Sequence, residues 1–469
     1  MVFSSPPFLL VFLPLTLLGY FLIPAKRIKI RNLLLLLCSL VFFAWSSPRH
    51  ILLILASMLI NYMTGLLVGR FREKPLCKKL AFTAGVLLNL GLLFYFKYLG
   101  FALANAKALF GLNISIPDIV LPIGISFFTF QGMSYMIDAY RGEVEVNKNI
   151  LDFMLYIALF PQLIAGPIVN YKDIVNQLDD HPVNIEAFAA GIERFIVGLS
   201  KKLLIADVLG AQASALINAL EPGIDAPSAW LAVICYTFQI YFDFSAYSDM
   251  AIGLARMFGF SLLENFNYPY IATSVTDFWR RWHISLSTWF RDYLYIPLGG
   301  NRRGNTYLNL FIVFCATGLW HGAQWQFLLW GLWHGLFLMV ERFMIKKGVL
   351  DKIPAVIRRF TTFFIVIMGW VLFSANGLNG ALDMVKTMFG FRRAGFVDFS
   401  FIYYLNAKTV VTLALAAVGS TRLVADISER FRASLPFSIV KRTALLALLA
   451  LCMITAVSGT YSPFIYFRF

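Results

Sequence analysis

The chain contains few charged residues for its length. Of its 469 residues only 14% are Asp, Glu, Lys or Arg, whereas soluble domains carry about a quarter. Apolar residues make up 59% of the sequence, and the mean hydropathy is +0.73. These values exclude a soluble globular protein and predict an all-α protein that crosses a membrane several times.

Several catalytic and metal-binding motifs are also absent. The sequence has no H-E-x-x-H motif and no Cys/His cluster, so no metal site is predicted. It has no G-x-S-x-G elbow, no P-loop and no histidine followed by aspartate five residues on, which excludes the enzymes that need these motifs. The cysteines form no C-x-x-C pair, so packing is their predicted role. They are Cys38, Cys77, Cys235, Cys315 and Cys452.

Nine apolar runs predict the helices that cross the membrane. Some are shorter than the ~20 residues that a straight span needs, so they must extend into polar neighbours, tilt or re-enter. About ten to twelve spanning helices are expected, in a single membrane domain that covers residues 1–469. No internal repeat of the transporter kind is visible. The runs are 8–23, 33–45, 51–68, 80–96, 229–241, 326–340, 360–373, 409–418 and 444–457.

The net charge of +15 comes mainly from short basic loops between these runs. Such loops stay in the cytoplasm, so the charge marks topology, and no nucleic-acid partner is predicted. One basic cluster, at 26–31, follows the first run, and another, at 422–442, precedes the last. Both termini, including residues 461–469, are therefore predicted to lie outside the cytoplasm.

Two histidines lie in apolar, aromatic-rich sequence, where imidazole costs free energy unless it has a partner or faces a wet cavity. His321 follows Trp320, and His334 comes later in the same apolar region. On one straight helix the two would differ in direction by about 220°, so they would not act as a pair from a single helix. Gly318 and Gly322 flank His321 and permit a break there. His321 is therefore predicted to be a cavity-facing general base and His334 to pack or support, with a structural hydrogen bond as the alternative.

Asp243 and Asp249 stand where an apolar run becomes polar. Asp243 and Tyr247 are four residues apart, so they share a helix face. Carboxylates at this depth need partners, and two roles stay open for them: a buried network that holds the core, or direct contact with substrate. The cations expected to pair with them are Arg256, Arg280 and Arg281.

Residues 277–293 combine three arginines, three tryptophans and a histidine, His283. Guanidinium groups with aromatic rings suit a ligand that carries phosphate and a ring, such as coenzyme A or a phosphopantetheine arm. The alternative is an interfacial helix with a tryptophan belt and arginines that extend to water. The residues alone do not decide between these two interpretations.

Together these strings resemble the membrane-bound O-acyltransferases, in particular the bacterial alginate O-acetyltransferase type. The resemblance runs nearly end to end, and its arginine–tryptophan–histidine and Trp-His-Gly strings are highly specific. The D-alanyl-lipoteichoic acid exporter is similar at a greater distance. The matching strings are Met-Val-Phe-Ser-Ser at 1–5, Leu-Pro-Ile-Gly-Ile-Ser-Phe at 121–127, Phe-Pro-Gln-Leu-Ile-Ala-Gly-Pro at 160–167, Tyr-Phe-Asp-Phe-Ser at 241–245, Glu-Asn-Phe-Asn at 264–267, Phe-Trp-Arg-Arg-Trp-His-Ile-Ser at 278–285, Leu-Trp-His-Gly-Ala at 319–323 and Pro-Phe-Ile-Tyr-Phe at 463–467.

The resemblance implies that His321 is the family's catalytic histidine and His283 its second histidine. It implies re-entrant helices around a central funnel, with a catalytic core at about 121–335. It also implies acetyl-coenzyme A or an acyl-carrier thioester as a cytoplasmic co-substrate, an inner-membrane location and an extracytoplasmic polysaccharide acceptor. An extracytoplasmic acetyltransferase subunit is the implied protein partner.

We therefore interpret the sequence as an O-acyltransferase that moves an acetyl group to a hydroxyl, with no bound cofactor. His321 would take the hydroxyl proton, and His283 would orient the donor. A polar-solute transporter, an exporter that uses a carrier-protein thioester, and a structural scaffold are the alternatives. The residues predicted to bind the donor or support its site are Arg280, Arg281, Trp282, Trp320, Asp243 and Asp249.

Overall fold

The computed structural model describes residues 1–220, 223–392, 400–459 and 463–465. These residues form helices, turns and loops, and no β-strand occurs among them. The contacts divide the chain into unit 1, Met1–Phe195 with Ser248–Leu263, and unit 2, Ile196–Tyr247 with Glu264–Phe469. Much of the predicted C-terminal segment, 461–469, lies outside the described residues.

Unit 1 contains the first eight α-helices, and α9 and α11 contribute residues to both units. A π-helical turn, Phe8–Phe12, leads into the first helix, and another, Phe94–Tyr98, joins the fourth to the fifth. The helices are α1 Leu13–Leu22, α2 Ile28–Ser46, α3 Ile51–Arg70, α4 Pro75–Leu93, α5 Leu99–Phe110, α6 Ile125–Arg141, α7 Ile150–Ala158, α8 Tyr171–Asp179, α9 Ile185–Ser200 and α11 Ala226–Met257.

Unit 2 contains the remaining helices. The π-helical turns Lys201–Ala206 and Arg291–Tyr295 follow α9 and α13. The helices are α10 Asp207–Asn218, α12 Val275–Arg281, α13 Ile284–Phe290, α14 Thr306–His321, α15 Trp325–Lys346, α16 Ala355–Ser374, α17 Gly377–Met388, α18 Phe401–Tyr404, α19 Ala407–Gly419, α20 Leu423–Arg430 and α21 Leu435–Ser458.

The nine apolar runs predicted from the sequence are helical, except for Ile23 at the end of the first run. In the described part of the chain, six helical segments are long and apolar enough to cross a membrane, and α19 with α20, bent by 62°, form a possible seventh. The chain is thus a multi-pass membrane protein, although fewer segments qualify than the ten to twelve spans expected. The six are Ile28–Ser46, Pro48–Arg70, Pro75–Phe110, Trp325–Lys346, Ala355–Ser374 and Leu435–Ser458.

The core of unit 1 combines packed aromatic rings with buried amides. Phe8 lies within 6.3 Å of the rings of Phe42 and Phe160, measured between centroids. On α3 and α4, the side chains of Asn61 and Asn89 exchange two hydrogen bonds of 3.2 Å. Reciprocal amide pairs of this kind link helices where water is scarce. They explain how polar side chains are accommodated among apolar helices.

In unit 2, α14 and α15 form a helical hairpin whose backbones approach closely. A Cβ atom added to Gly331 would lie 2.2 Å from the carbonyl oxygen of Phe314, and one added to Gly318 would lie 2.4 Å from that of Phe327. Small residues permit such an approach between membrane helices. The hairpin turn begins at Gly322, so the helix break predicted there is confirmed.

Candidate active site

His283 occupies the turn between α12 and α13 in an unusual backbone conformation. Its φ is +45°, in the left-handed region that residues with a side chain rarely adopt. The Oδ1 atom of Asn265 accepts hydrogen bonds from the backbone N–H and the hydroxyl of Ser285 at 3.0 and 2.9 Å. It also lies 3.3 Å from Nδ1 of His283. The 264–267 string therefore holds the histidine turn in place, and strain of this kind is typical of functional sites.

These contacts also fix the protonation of the His283 ring. Because Oδ1 of Asn265 accepts from a backbone N–H, it is the amide oxygen, and Nδ1 of His283 must donate to it. The neutral ring then carries its lone pair on Nε2. His283 is fully buried, and this burial lowers its pKa to about 3. The ring is therefore neutral at physiological pH.

His321 is the last residue of α14 and is 2% exposed. Three aromatic rings contact it edge-on, with these distances between ring centroids: Trp320 at 4.9 Å, Trp330 of α15 at 4.8 Å and Phe373 of α16 at 5.3 Å. The close approach of α14 and α15 brings Trp330 to this position. The side chain of His321 thus lies in an aromatic cage built by three helices.

Trp320 joins the two predicted catalytic histidines. Its ring contacts His321 at 4.9 Å and His283 at 6.0 Å, although the histidines are far apart in sequence. Trp320 itself is 4% exposed. The structure therefore brings together His283, Trp320 and His321, three of the residues that the sequence nominates.

His334 lies one ring further on, on α15. It contacts Trp330 at 5.1 Å and Trp279 at 5.2 Å, and it is fully buried. Neither ring nitrogen has a hydrogen-bond partner among the described residues. The surroundings are those of a packing residue. His321 and His334 thus sit on different helices and share one neighbour, Trp330.

The sequence around the two histidines contains a short repeat. Gly-Leu-Trp-His-Gly occurs at 318–322 and again at 331–335. The first glycine of each copy faces the other, because a Cβ on Gly331 would lie 3.1 Å from the Cα of Gly318. The repeat therefore marks where the hairpin helices meet, and its spacing is the signal that could have predicted their contact.

The residues expected to bind the donor differ in their surroundings. Arg280 is exposed, whereas Arg281 pairs with Asp277 at 2.7 Å and donates to the carbonyl oxygen of Asn267 at 3.3 Å. Trp282 is 1% exposed and packs against other aromatic rings of unit 2. Of these three, Arg280 is the side chain most available to a ligand.

Asp243 is buried and pairs with Lys202, which is not among the cations predicted from the sequence. The Lys202 Nζ atom lies 2.7 Å from Oδ1 of Asp243 and 2.8 Å from Asp207. The other oxygen of Asp243 accepts a hydrogen bond of 2.7 Å from the backbone N–H of Ile465. The expectation of an arginine partner is therefore wrong for this carboxylate. Lys202 stands in a π-helical turn, a feature that often occurs at functional sites.

Asp249 belongs to unit 1 and pairs with Arg194 there. Both Nε and one terminal nitrogen of Arg194 donate to the same carboxylate oxygen, at 3.1 and 2.8 Å. This cation, too, is absent from the predicted set. The arginine pairing expected for Asp249 is thus present, but with a residue far upstream in the sequence.

The described chain also has a surface cavity of about 650 Å³, which lies in unit 1. Lys29, Lys172 and Asp179 are among the residues that line it, and it includes none of the predicted site residues. In the part of the chain that the structure describes, no group of three or more His, Cys, Asp or Glu residues could hold a metal ion.

Comparison with known proteins adds independent information. The family model of membrane-bound O-acyltransferases matches residues 143–384, which include His283 and His321. The chain is 42% identical to a probable alginate O-acetylase AlgI of Pseudomonas putida over 100% of both chains. It is 33% identical to the peptidoglycan O-acetyltransferase of Helicobacter pylori over 100% of this chain and 98% of that protein. It is 28% identical to a teichoic acid D-alanyltransferase of Bacillus subtilis over 54% of this chain and 69% of that protein.

Proposed function

Because this chain belongs to the membrane-bound O-acyltransferase family and is an O-acyltransferase, we propose that it transfers an acetyl group from acetyl-coenzyme A to a hydroxyl of an extracytoplasmic polysaccharide. The observation that carries the proposal is the meeting of His283 and His321 on Trp320 in a buried aromatic cluster. Relatives named for O-acetylation of alginate and of peptidoglycan support acetyl as the acyl group and a glycan as the acceptor.

His321 acts as the general base in this proposal. It takes the proton of the acceptor hydroxyl while the oxygen attacks the thioester carbonyl. The carbon–sulfur bond then breaks and the ester forms, and the sulfur leaves as the thiolate of coenzyme A, which takes the proton from the His321 imidazolium to become the thiol. The rings of Trp320, Trp330 and Phe373 exclude water from His321, which favours transfer to the acceptor over hydrolysis.

His283 orients the donor. Nδ1 of His283 donates its hydrogen bond to Asn265, so the lone pair of the neutral ring is on Nε2. Nε2 can therefore accept a hydrogen bond from the acetyl donor but cannot supply a proton while the ring is neutral. Arg280 pairs with the phosphates of the donor, because its guanidinium group is exposed and always charged. Arg281, held by Asp277, supports the same turn.

The donor approaches from the cytoplasm and the acceptor from the other side of the inner membrane. This arrangement needs a path through the protein, which we propose to be a funnel within ten to twelve spanning and re-entrant helices, with both termini outside the cytoplasm. An extracytoplasmic acetyltransferase subunit would complete the modification of the polysaccharide. The basic clusters at 26–31 and 422–442 support this orientation.

The test is acetyl transfer by purified protein with radiolabelled acetyl-coenzyme A and an oligosaccharide acceptor. His321→Ala should lower the rate by about 10²–10⁴-fold, as expected for loss of a general base, with an unchanged elution profile in detergent. His283→Ala should lower it less. His334→Ala should act mainly on thermal stability, since the packing of its ring is what is lost.

Three results would contradict the proposal. If His321→Ala keeps most of its activity, or loses activity only because it does not fold, then His321 is not the base. If the wild-type protein accepts acetyl only from a carrier-protein thioester, the donor assignment is wrong. A protein that transports a polar solute and transfers no acetyl would overturn the proposed reaction altogether.

A further inference from the structure

Residues 463–465 pack against unit 2, and the last two of them are buried. Phe464 is 1% exposed and Ile465 is 6% exposed. The ring of Phe464 packs edge-on against Tyr247, with centroids 5.1 Å apart, and the Nζ atom of Lys202 lies 4.5 Å from the centre of the same ring. A buried ammonium group above a ring face is strongly attracted to it. This segment is therefore seated by specific contacts.

Asp243 completes the seat. One of its oxygens pairs with Lys202 at 2.7 Å, and the other accepts the backbone N–H of Ile465 at 2.7 Å. A buried carboxylate needs several hydrogen-bond donors. If residues 463–465 leave, Asp243 loses one of them, the N–H of Ile465. Asp243 and Tyr247 are one helical turn apart on α11, which is why both reach the segment.

The same helical turn contacts the proposed active site. Phe244, next to Asp243, lies edge-on to His283 with ring centroids 4.6 Å apart. Phe244 is 1% exposed, so its position depends on that of α11 at this turn. A contact that fixes Asp243 thereby also fixes the side chain that packs against His283.

We propose that Asp243, Lys202 and Tyr247 form a socket for residues 463–465, and that Asp243 is a positioning residue which acts on His283 through Phe244. The socket binds two groups of this segment: the backbone N–H of Ile465 and the aromatic side chain of Phe464, which precedes it. The kinetic part of this proposal rests on the proposed acetyl transfer, whereas the seating of the segment does not.

Hydrogen–deuterium exchange of the full chain tests the seating directly, through the peptide that contains Ile465. In the wild-type protein this amide should be protected. Phe464→Ala and Asp243→Leu should each speed its exchange by about 10-fold or more, the factor expected for a lost hydrogen bond to a charged group. Phe464→Leu, which keeps apolar volume, should restore part of the protection.

Acetyl transfer by the same variants tests the positioning. Phe464→Ala should lower kcat by about 10-fold or more and change the KM for acetyl-coenzyme A much less, because His283, which orients the donor, is displaced while Arg280, which pairs with the donor phosphates, is not. Phe391→Ala and Asp426→Asn are matched controls. Phe391 is 81% exposed, and Asp426 pairs with Arg422 at the surface, so neither variant should change exchange or kcat.

Because Asp243→Leu leaves the Lys202 ammonium group with Asp207 alone as an ion-pair partner, Lys202→Met/Asp243→Leu serves as a second variant that removes both charges and should show the same faster exchange. An Ile465 amide that exchanges as fast as a free peptide in the wild-type protein would overturn the socket. Faster exchange in Phe464→Ala with unchanged kcat would overturn the positioning role. An inactive wild-type protein would refute the proposed function and leave the exchange result to decide the socket.

Discussion

Replacing Gly331 with alanine tests whether the close approach of α14 and α15 sets the geometry around His321. A Cβ at Gly331 would lie 2.2 Å from the carbonyl oxygen of Phe314. Real Cβ contacts essentially never fall below 3.0 Å, so the helices must separate by about 0.8 Å. The obstacle is backbone, which cannot rotate away as a side chain could. Trp330 precedes Gly331 and contacts His321, so it moves with α15.

The size of the effect follows from this displacement. Overpacking of a tight contact costs about 1–3 kcal/mol of stability. A misplacement of about 1 Å near reacting groups can lower a rate by about 10²-fold. Gly331→Ala should therefore lower both the unfolding temperature and kcat. At a temperature where the variant is still folded, the fall in kcat should exceed what the loss of stability alone explains.

The assay is acetyl-coenzyme A turnover together with thermal unfolding in the same detergent. Gly91→Ala is the matched control, because Gly91 lies within a membrane helix and a Cβ there has no described atom within 4 Å. That variant should be neutral or slightly stabilised by the better helix propensity of alanine. If Gly331→Ala keeps wild-type kcat and unfolding temperature, the helix contact does not set the geometry of the cage.

Three further predictions concern the donor, pH and topology. Arg280→Ala should raise the KM for acetyl-coenzyme A at unchanged stability, whereas Arg281→Ala should lower the unfolding temperature because its pair with Asp277 is lost; equal effects would contradict this division. Burial lowers the pKa of His283 to about 3, so below the ordinary histidine pKa the unfolded state binds more protons than the folded state. The contribution of His283 to stability should therefore fall as pH drops from about 6.5 towards 3, by at most about 1.4 kcal/mol per pH unit. His283→Gln should flatten that fall, and an unchanged slope would refute the cause. A cysteine placed at Pro7, which is exposed, should react with an impermeant maleimide from outside the cytoplasm, and labelling only from the cytoplasm would reverse the topology.

The sequence predicts local features of this fold well. Each apolar run is helical, because burial in a bilayer requires every backbone group to bond within its own segment. The glycines that flank His321 permit the break after it: α14 ends there, and a Cβ on Gly322 would lie 2.2 Å from the ring of Phe327. These features depend on residues that are close in sequence, so the pattern of residue types predicts them.

Contacts between distant residues are not predictable in the same way. Lys202 and Asp243 are 41 residues apart, and Arg194 and Asp249 are 55 apart. Arg256, Arg280 and Arg281 are candidates by charge, but helix packing decides which cation reaches a buried carboxylate. The meeting of His283 with Trp320 has the same origin. It depends on how α11 to α14 pack in unit 2, and no spacing in the sequence encodes it.

The buried carboxylates show why the composition of a motif does not assign its function. Asp243 is among the residues predicted to bind the donor or support its site, yet a carboxylate repels phosphate. Its two oxygens are engaged by Lys202 and by the N–H of Ile465, so a donor would have to displace one of them. The arginines suit donor contact on grounds of charge, whereas Asp243 suits support of the helix that packs against His283. Of the two roles left open for this carboxylate, its contacts therefore favour the buried network that holds the core.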